Sequence, residues 1–299
     1  MEAKVASVVV TYNRIELLKK CIGSLRNQSR KLDEIIIVNN SSTDGTGEWL
    51  SKQIDISVIT QPNTGSAGGQ FTGIKSAYDK GYDWVWCLDA DVVPDQNALQ
   101  MFLTSDAMGD KSLGFLSSTI YTPENSLCYI NIPYLENGDS MTKFNCLKIL
   151  SASFGSVLFS RNAIKTVGYP IPDFFIWGDD AEYTFRMREK GFNGYLIAES
   201  KATHFEQNNF PNPFLEMNYL ERKAFFAVRN TIYIIKLRNK ILYKSYFRGI
   251  ASSLLFYFDI ILKRSKRKNW DMNSLIKFSR YFISGLVYNP RKFLNDEAN

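Results

Sequence analysis

Two groups of carboxylates stand out for the chemistry they could perform. The stretch WVWCLDADVVP places Asp89 and Asp91 one residue apart at the end of an apolar run. Alternating side chains on a strand put residues i and i+2 on one face. Two carboxylates so placed make a seat for a hard divalent cation, which prefers oxygen ligands. The plain alternative is a solvated turn. The second group is FFIWGDDAEYTFR, where Asp179 and Asp180 follow an apolar, aromatic wall and a glycine. Burying one unpaired carboxylate is costly, and a second beside it adds like-charge repulsion. A helix N-terminus offers one reason for the pair, because acidic first-turn residues complement the macrodipole. DDAEYTFRMREKG has the composition of such a helix up to its closing glycine.

The only histidine, His204, lies in KATHFEQNN, which reads as a loop after the short strand GYLIAES. From there the chain can return to the edge that carries Asp89 and Asp91. Two aspartates and an imidazole suit Mn2+ or Mg2+, with diphosphate oxygens completing an octahedron. Zinc suits them less, in the absence of thiolates or further histidines. NTGSAGGQF opens a helix with Gly65, Gly68 and Gly69. It is neither a dinucleotide fingerprint nor a phosphate loop. Its glycines mark either a tight turn into a closely packed helix or close approach of backbone to a ligand.

The elements that must position these residues alternate through the N-terminal half. VASVVV, EIIIV, ISVIT and WVWCL read as buried strands. Between them, IELLKKCIGSLRNQ, TDGTGEWLSKQ and GSAGGQFTGIKSAYDKG read as helices. Continuous apolar strands alternating with helices imply an α/β fold with a mostly parallel sheet. Ligands of such sheets sit beyond the carboxyl ends of the strands, where this chain places polar residues: Thr11 to Arg14, Asn39–Asn40, Gln61 to Asn63 and Asp89 to Asp91. Residues 112–160 are strand-rich, and from about 216 the pattern becomes long, basic and helical.

Composition narrows the classes. A 299-residue chain with 45% hydrophobic and 14% aromatic residues has enough apolar side chains for a large core, which excludes a disordered chain. The four cysteines show no Cys-x-x-Cys spacing, so neither a disulfide framework nor a zinc cluster is expected, and a reducing cytosol fits best. No signal peptide is recognisable. Charge divides sharply: residues 1–216 carry a net −6 and residues 217–299 a net +12. A basic tail on an acidic body implies an anionic partner for the tail. Its longest apolar run, GIASSLLFYFDIIL, contains Asp259 and is too short to span a bilayer.

In order along the chain, VVVTYNR, VNNSSTDGT, NTGSAGG, LDADVVP, WGDDAEY and THFE resemble the nucleotide-sugar glycosyltransferases of family 2, which have the GT-A (Rossmann-like) fold. NTGSAGG and WGDDAEY are similar to the branch of bacterial galactofuranosyltransferases and rhamnosyltransferases. The resemblance covers roughly residues 4–206. It implies that Thr11, Tyr12, Asn13 and Arg14 line the base and ribose pocket and that Asn39, Asn40 and Asp44 close it. Asn63 and Gly65 would lie near the ribose and diphosphate. Asp89 and Asp91 match the metal–diphosphate motif and His204 the distal metal ligand. Asp180 matches the catalytic base of inverting enzymes, with Asp179 and Trp177 orienting the acceptor. Two positions depart from the pattern: Asn39 stands where the family commonly has Asp, and Ala90 replaces the middle Asp of a frequent Asp-Asp-Asp.

The resulting expectation is a GT-A domain over 1–215 and a basic amphipathic helical region over 216–299. The chain would be an inverting, Mn2+- or Mg2+-dependent glycosyltransferase using a UDP- or dTDP-sugar, galactofuranose ahead of rhamnose. Its acceptor would be a glycan or lipid-linked glycan at the cytoplasmic face of the cell membrane. The tail reads either as helices packed on the body or as helices resting on an anionic membrane surface. No nucleic-acid motif accompanies its charge, so nucleic acid is not expected as a partner. The competing readings are a catalytically silent glycan- or membrane-binding scaffold and an RNA-associated basic protein.

Overall fold

The computed structural model describes residues 3–136, 142, 146–205, 212–266 and 271–292. Four parallel strands form its first half: β1 (Val5–Thr11), β2 (Glu34–Asn39), β3 (Ser57–Thr60) and β4 (Trp84–Asp89). They alternate with α1 (Ile15–Arg26), α2 (Thr46–Leu50) and α3 (Gly65–Asp79). β1, β2 and β4 are buried on both faces, while β3 at the sheet edge is half exposed, and the strands' period of two divides the core. Val5 and Val9, Ile35 and Ile37, and Trp86 and Leu88 face the cluster closed by Leu18, Ile22 and Leu25 of α1. Ala6 and Val8, Ile36, and Val85 and Cys87 face the cluster containing Ile74 and Ala77 of α3. Helices on both faces are what continuous β-branched strands require.

The second half contributes β5 (Val92–Pro94), β6 (Leu113–Tyr121), β7 (Leu147–Ile149), β8 (Ser156–Ser160) and β9 (Asn193–His204). Sheet order is β3-β2-β1-β4-β8-β6-β9-β5, with β7 also on β9. The expected parallel arrangement holds for β1 to β4. Beyond β4 it becomes mixed, with β8 antiparallel to both β4 and β6, and β9 parallel to β6. Three short helices lie in this half: α4 (Ala98–Thr104), α5 (Arg161–Val167) and α6 (Asp179–Glu189). One expectation is corrected. Residues 201–204 are not a loop: β9 runs on through Lys201, Ala202 and Thr203, and His204 is its last residue. Pairing with β5 holds them there, Val92 opposite His204 and Pro94 opposite Ala202. Residues 206–209, read as the end of that loop, lie outside the described residues.

The basic region folds as α7 (Arg222–Tyr243), α8 (Tyr246–Lys266) and α9 (Met272–Val287). Tyr233, Ile234 and Leu237 of α7 share a cluster with Ala67, Ile171, Phe174 and Phe185 of the body. A second cluster, including Ile232, Ile260, Phe278 and Phe282, binds the three helices together. Close crossings need glycine: a Cβ on Gly249 would lie 2.8 Å from Lys236 Cα, and one on Gly285 2.8 Å from Arg229 O. Among the described residues no helix is long and apolar enough to cross a membrane.

Candidate active site

The register of the parallel strands brings Thr11 opposite Asn39 and Val10 opposite Asp89, so the polar residues after β1, β2 and β4 share one edge. The first two loops are stitched together. Asn13 N–H donates to Ser42 Oγ at 3.0 Å, Thr43 N–H to Asn13 Oδ1 at 2.7 Å, and Ile15 N–H to Asp44 Oδ2 at 3.0 Å. Asn39 Oδ1 accepts from Ser42 N–H, and Asn40 Nδ2 donates to Gly65 O. Asn63 Oδ1 accepts from Gly65 N–H at 2.9 Å. Thr11, Asn39, Asn40 and Gly65 are buried, so they shape this edge from beneath. Tyr12, Asn13, Arg14, Asp44 and Asn63 are exposed at this edge. What approaches Gly65 closely is the protein itself: at φ +76°, a Cβ there would lie 2.0 Å from Phe175 O.

Asp91 and His204 meet because β5 and β9 pair. Phe205 N–H donates to Asp91 O at 2.9 Å, and His204 Nε2 lies 3.3 Å from Asp91 Oδ1. Arg14 holds the other carboxylate oxygen at 2.9 Å. Burial works against charge on both partners. The imidazole and Arg14 nevertheless hold the Asp91 carboxyl below its usual range, and the carboxylates and Cys128 raise His204 to about 10. Burial together with the charges of Asp91 and Asp180 pushes Asp89 up to about 7. His204 Nδ1–H donates to Asn131 Oδ1 at 2.8 Å, which leaves Nε2 facing the carboxylates.

This donor set fits a divalent cation. Asp89 and Asp91 supply the oxygen donors such an ion prefers, and the ring is oriented by a carbonyl oxygen in the way a ligating histidine requires. Among the described residues no three His, Cys, Asp or Glu side chains form a preassembled cage. An ion would therefore recruit Asp89, Asp91 and the Nε2 of His204, displacing the Asp91–His204 contact and the imidazole proton. Asn131 and Cys128 were not legible as parts of this site. They lie 73 and 76 residues from His204, in a stretch without periodicity.

Asp179 and Asp180 open α6, whose N-cap is Gly178 at φ 82°. The helix-terminus reading accounts for half of the pair, because Asp180 Oδ1 accepts from Ala181 N–H at 2.6 Å. It does not account for Asp179, which is buried with no hydrogen-bond partner at Oδ2. Burial raises Asp180 to about 6, and burial plus the adjacent Asp180 charge holds Asp179 well above the usual carboxylate range. The preceding segment is strained. Phe175 and Trp177 have φ of 62° and 64°, each costing on the order of 1–3 kcal/mol for a non-glycine residue. Trp177 is 41% exposed, so its ring is open to a ligand beside the two aspartates. The charge of Asp180 also acts on Asp89, and that of Asp89 on Asp179, so the two acidic groups influence each other's ionisation.

A polar strand-end edge, an Asp–His donor set joined to it through Arg14 and a paired-carboxylate helix head are thus the elements of the candidate site. Residues 7–168 match the family described as Glycosyl transferase family 2. The chain belongs to glycosyltransferase family 2. A curated relative, galactofuranosyltransferase GlfT1 of Mycolicibacterium smegmatis, is 28% identical over 250 residues, covering 77% of this chain and 82% of the relative. Poly-beta-1,6-N-acetyl-D-glucosamine synthase of Staphylococcus aureus is 27% identical over 197 residues, 62% of this chain and 46% of the synthase. The chain thus spans about half the length of the synthase. Among solved structures, GalNAc-T7 with UDP, GalNAc and Mn2+ superposes with a TM-score of 0.56 at 15% identity, over 77% of this chain and 51% of that one. The fold of this family 2 glycosyltransferase is accordingly GT-A.

Proposed function

We propose that this glycosyltransferase inverts the anomeric centre of a UDP- or dTDP-sugar, galactofuranose ahead of rhamnose. The acceptor is a hydroxyl of a glycan or lipid-linked glycan. The observation that carries the reading is the buried Asp179–Asp180 pair at the head of α6, close in sequence to an exposed Trp177, with the charge of Asp89 acting on Asp179. Asp180 takes the proton of the attacking hydroxyl, a task suited to a carboxylate whose pKa has been raised toward the working pH. Asp179 keeps its proton and offers an O–H to a neighbouring hydroxyl. Trp177 supplies a flat face for the sugar ring. Asp89, Asp91 and His204 would hold Mn2+ or Mg2+. Such an ion, when bound, offsets the charge of the departing diphosphate. Likeness to GlfT1 supports the choice of galactofuranose. The test is a thermal-shift and transfer screen of nucleotide sugars with Mn2+, since a bound donor stabilises the fold. Transfer from UDP-N-acetylglucosamine with neither favoured donor active would overturn the sugar assignment.

We also propose that the α8–α9 surface rests on the inner face of the cell membrane. Phe247, Leu255, Phe258 and Leu262 of α8 are 83%, 71%, 55% and 61% exposed, and Ile283 and Val287 of α9 59% and 79%. Lys244, Arg248 and Lys266 flank them, exposed. Apolar side chains beside cations suit the boundary between anionic head groups and acyl chains.

A further inference from the structure

Asn230 is fully buried in the middle of α7. A helix interior is an unfavourable place for asparagine, and a buried amide must find partners. The acceptors of its amide N–H groups all belong to the segment before α6. Nδ2 donates to Phe174 O at 3.1 Å, Ile176 O at 2.9 Å and Trp177 O at 2.7 Å. Two N–H bonds serve three carbonyls, so one is shared. The amide is itself held, because Arg229 Nε donates to Asn230 Oδ1 at 2.9 Å. Arg229 is fixed in turn by donation to Asp173 O at 2.7 Å and by the Tyr288 ring, 3.9 Å from its guanidinium carbon. On the other side, Ala67 N–H donates to Phe175 O, and Phe175 stacks on Phe226 of α7 at 4.8 Å.

The segment so held contains the two left-handed aromatic residues, a conformation that persists only where its surroundings over-determine it. We propose that Asn230 is a positioning residue for glycosyl transfer. By fixing the carbonyls of 174, 176 and 177 it sets the direction of Trp177 and the placement of Asp179 and Asp180. The proposal rests on the reading of Asp180 as the base and Trp177 as the acceptor platform. It makes α7 part of the catalytic unit, across the boundary expected at residue 215.

The experiment compares the full chain with Asn230→Ala and Asn230→Ser, the second retaining one donor should the first not fold. Acrylamide quenching of Trp177 is taken as the difference between each protein and the same protein carrying Trp177→Phe. UDP affinity with Mn2+ is measured by calorimetry, and hydrolysis of UDP-galactofuranose to water is followed without acceptor. The Asn230 variants should leave Trp177 more accessible to acrylamide and lower hydrolysis by ~10²-fold, the scale of a small misplacement. UDP affinity should stay within about twofold, with Asn230→Ser intermediate. Unchanged Trp177 quenching in the folded variants overturns the proposal. So does a loss of UDP affinity in proportion to hydrolysis, the mark of general destabilisation. If Asp180→Asn leaves hydrolysis intact, the base assignment fails instead, and the quenching comparison alone decides the role of Asn230.

Discussion

Val92 stands opposite His204 in the β5–β9 pairing, and that register sets His204 Nε2 3.3 Å from Asp91 Oδ1. The metal-type pair is thus built by backbone, with the ring direction added by Asn131. His204→Ala should therefore abolish the Mn2+-dependent part of UDP affinity. Asn131→Ala, which removes only the orienting oxygen, should weaken Mn2+ binding ~10–100-fold. Calorimetry with and without chelator reads both, and equal UDP affinity in chelator removes the ion from the reaction.

For Asp180 the decisive change is to asparagine. Asp180→Asn keeps size and the helix-end acceptor but loses the proton acceptor, so turnover should fall by ~10²–10⁴ while UDP affinity stays unchanged. If the carboxylates were helix caps alone, little would be lost, because Asn caps about as well as Asp. Turnover at saturating donor and acceptor, with melting temperature alongside, decides between the two.

A pH dependence follows from the same group. Burial raises Asp180 to about 6, and the base acts only when deprotonated. Turnover should be low below pH 6, rise through it and level off above. The raised folded-state value also means that ionisation opposes folding, so this group's contribution to stability is greatest at acid pH and declines as pH rises through about 6. Activity and stability should therefore move in opposite directions there. A turnover profile flat from pH 5 to 8 would count against Asp180.

Gly65 should tolerate no side chain. Gly65→Ala puts a Cβ 2.0 Å from Phe175 O at φ +76°, an overpacking cost on the order of 1–3 kcal/mol. Because the displaced group belongs to the Trp177 segment, turnover should fall further than stability predicts. Denaturant melts and kinetics on one preparation test this; an unaltered melt would show that the contact yields freely.

How far the sequence was readable depended on the range of the interaction. Val5 to Val10 declare a doubly covered strand by local pattern alone, and Asp89, Asp91 and the Asp179–Asp180 pair were legible as acidic groups at a strand end and a helix head, where the structure places them. The continuation of β9 was missed because its inward positions after Ser200 are only Ala202 and His204, too weakly apolar to display alternation. Asn131 and Asn230 act on groups more than 50 residues away. Within their own segments nothing distinguishes them from ordinary polar residues.

The α8 surface yields the last prediction. Phe247, Leu255 and Phe258 are exposed while Ile260, on the opposite side, is fully buried against the other helices. Replacing all three by serine should thus leave the packing of α8 intact. Burying a Leu or Phe side chain contributes about 1.5–3 kcal/mol, and each basic side chain near an anionic surface adds about 1 kcal/mol. Partial burial of three such residues at the interface makes a loss of ~10²-fold in vesicle affinity the expected result for the triple variant. The residual attraction should fade more steeply as salt rises than the parent's, since its electrostatic share is then larger and is screened. Flotation on vesicles containing phosphatidylglycerol measures both effects, with an unchanged melting temperature as the control for folding. Equal flotation of the triple variant and the parent at every salt concentration would mean that this face does not seat the protein on the membrane.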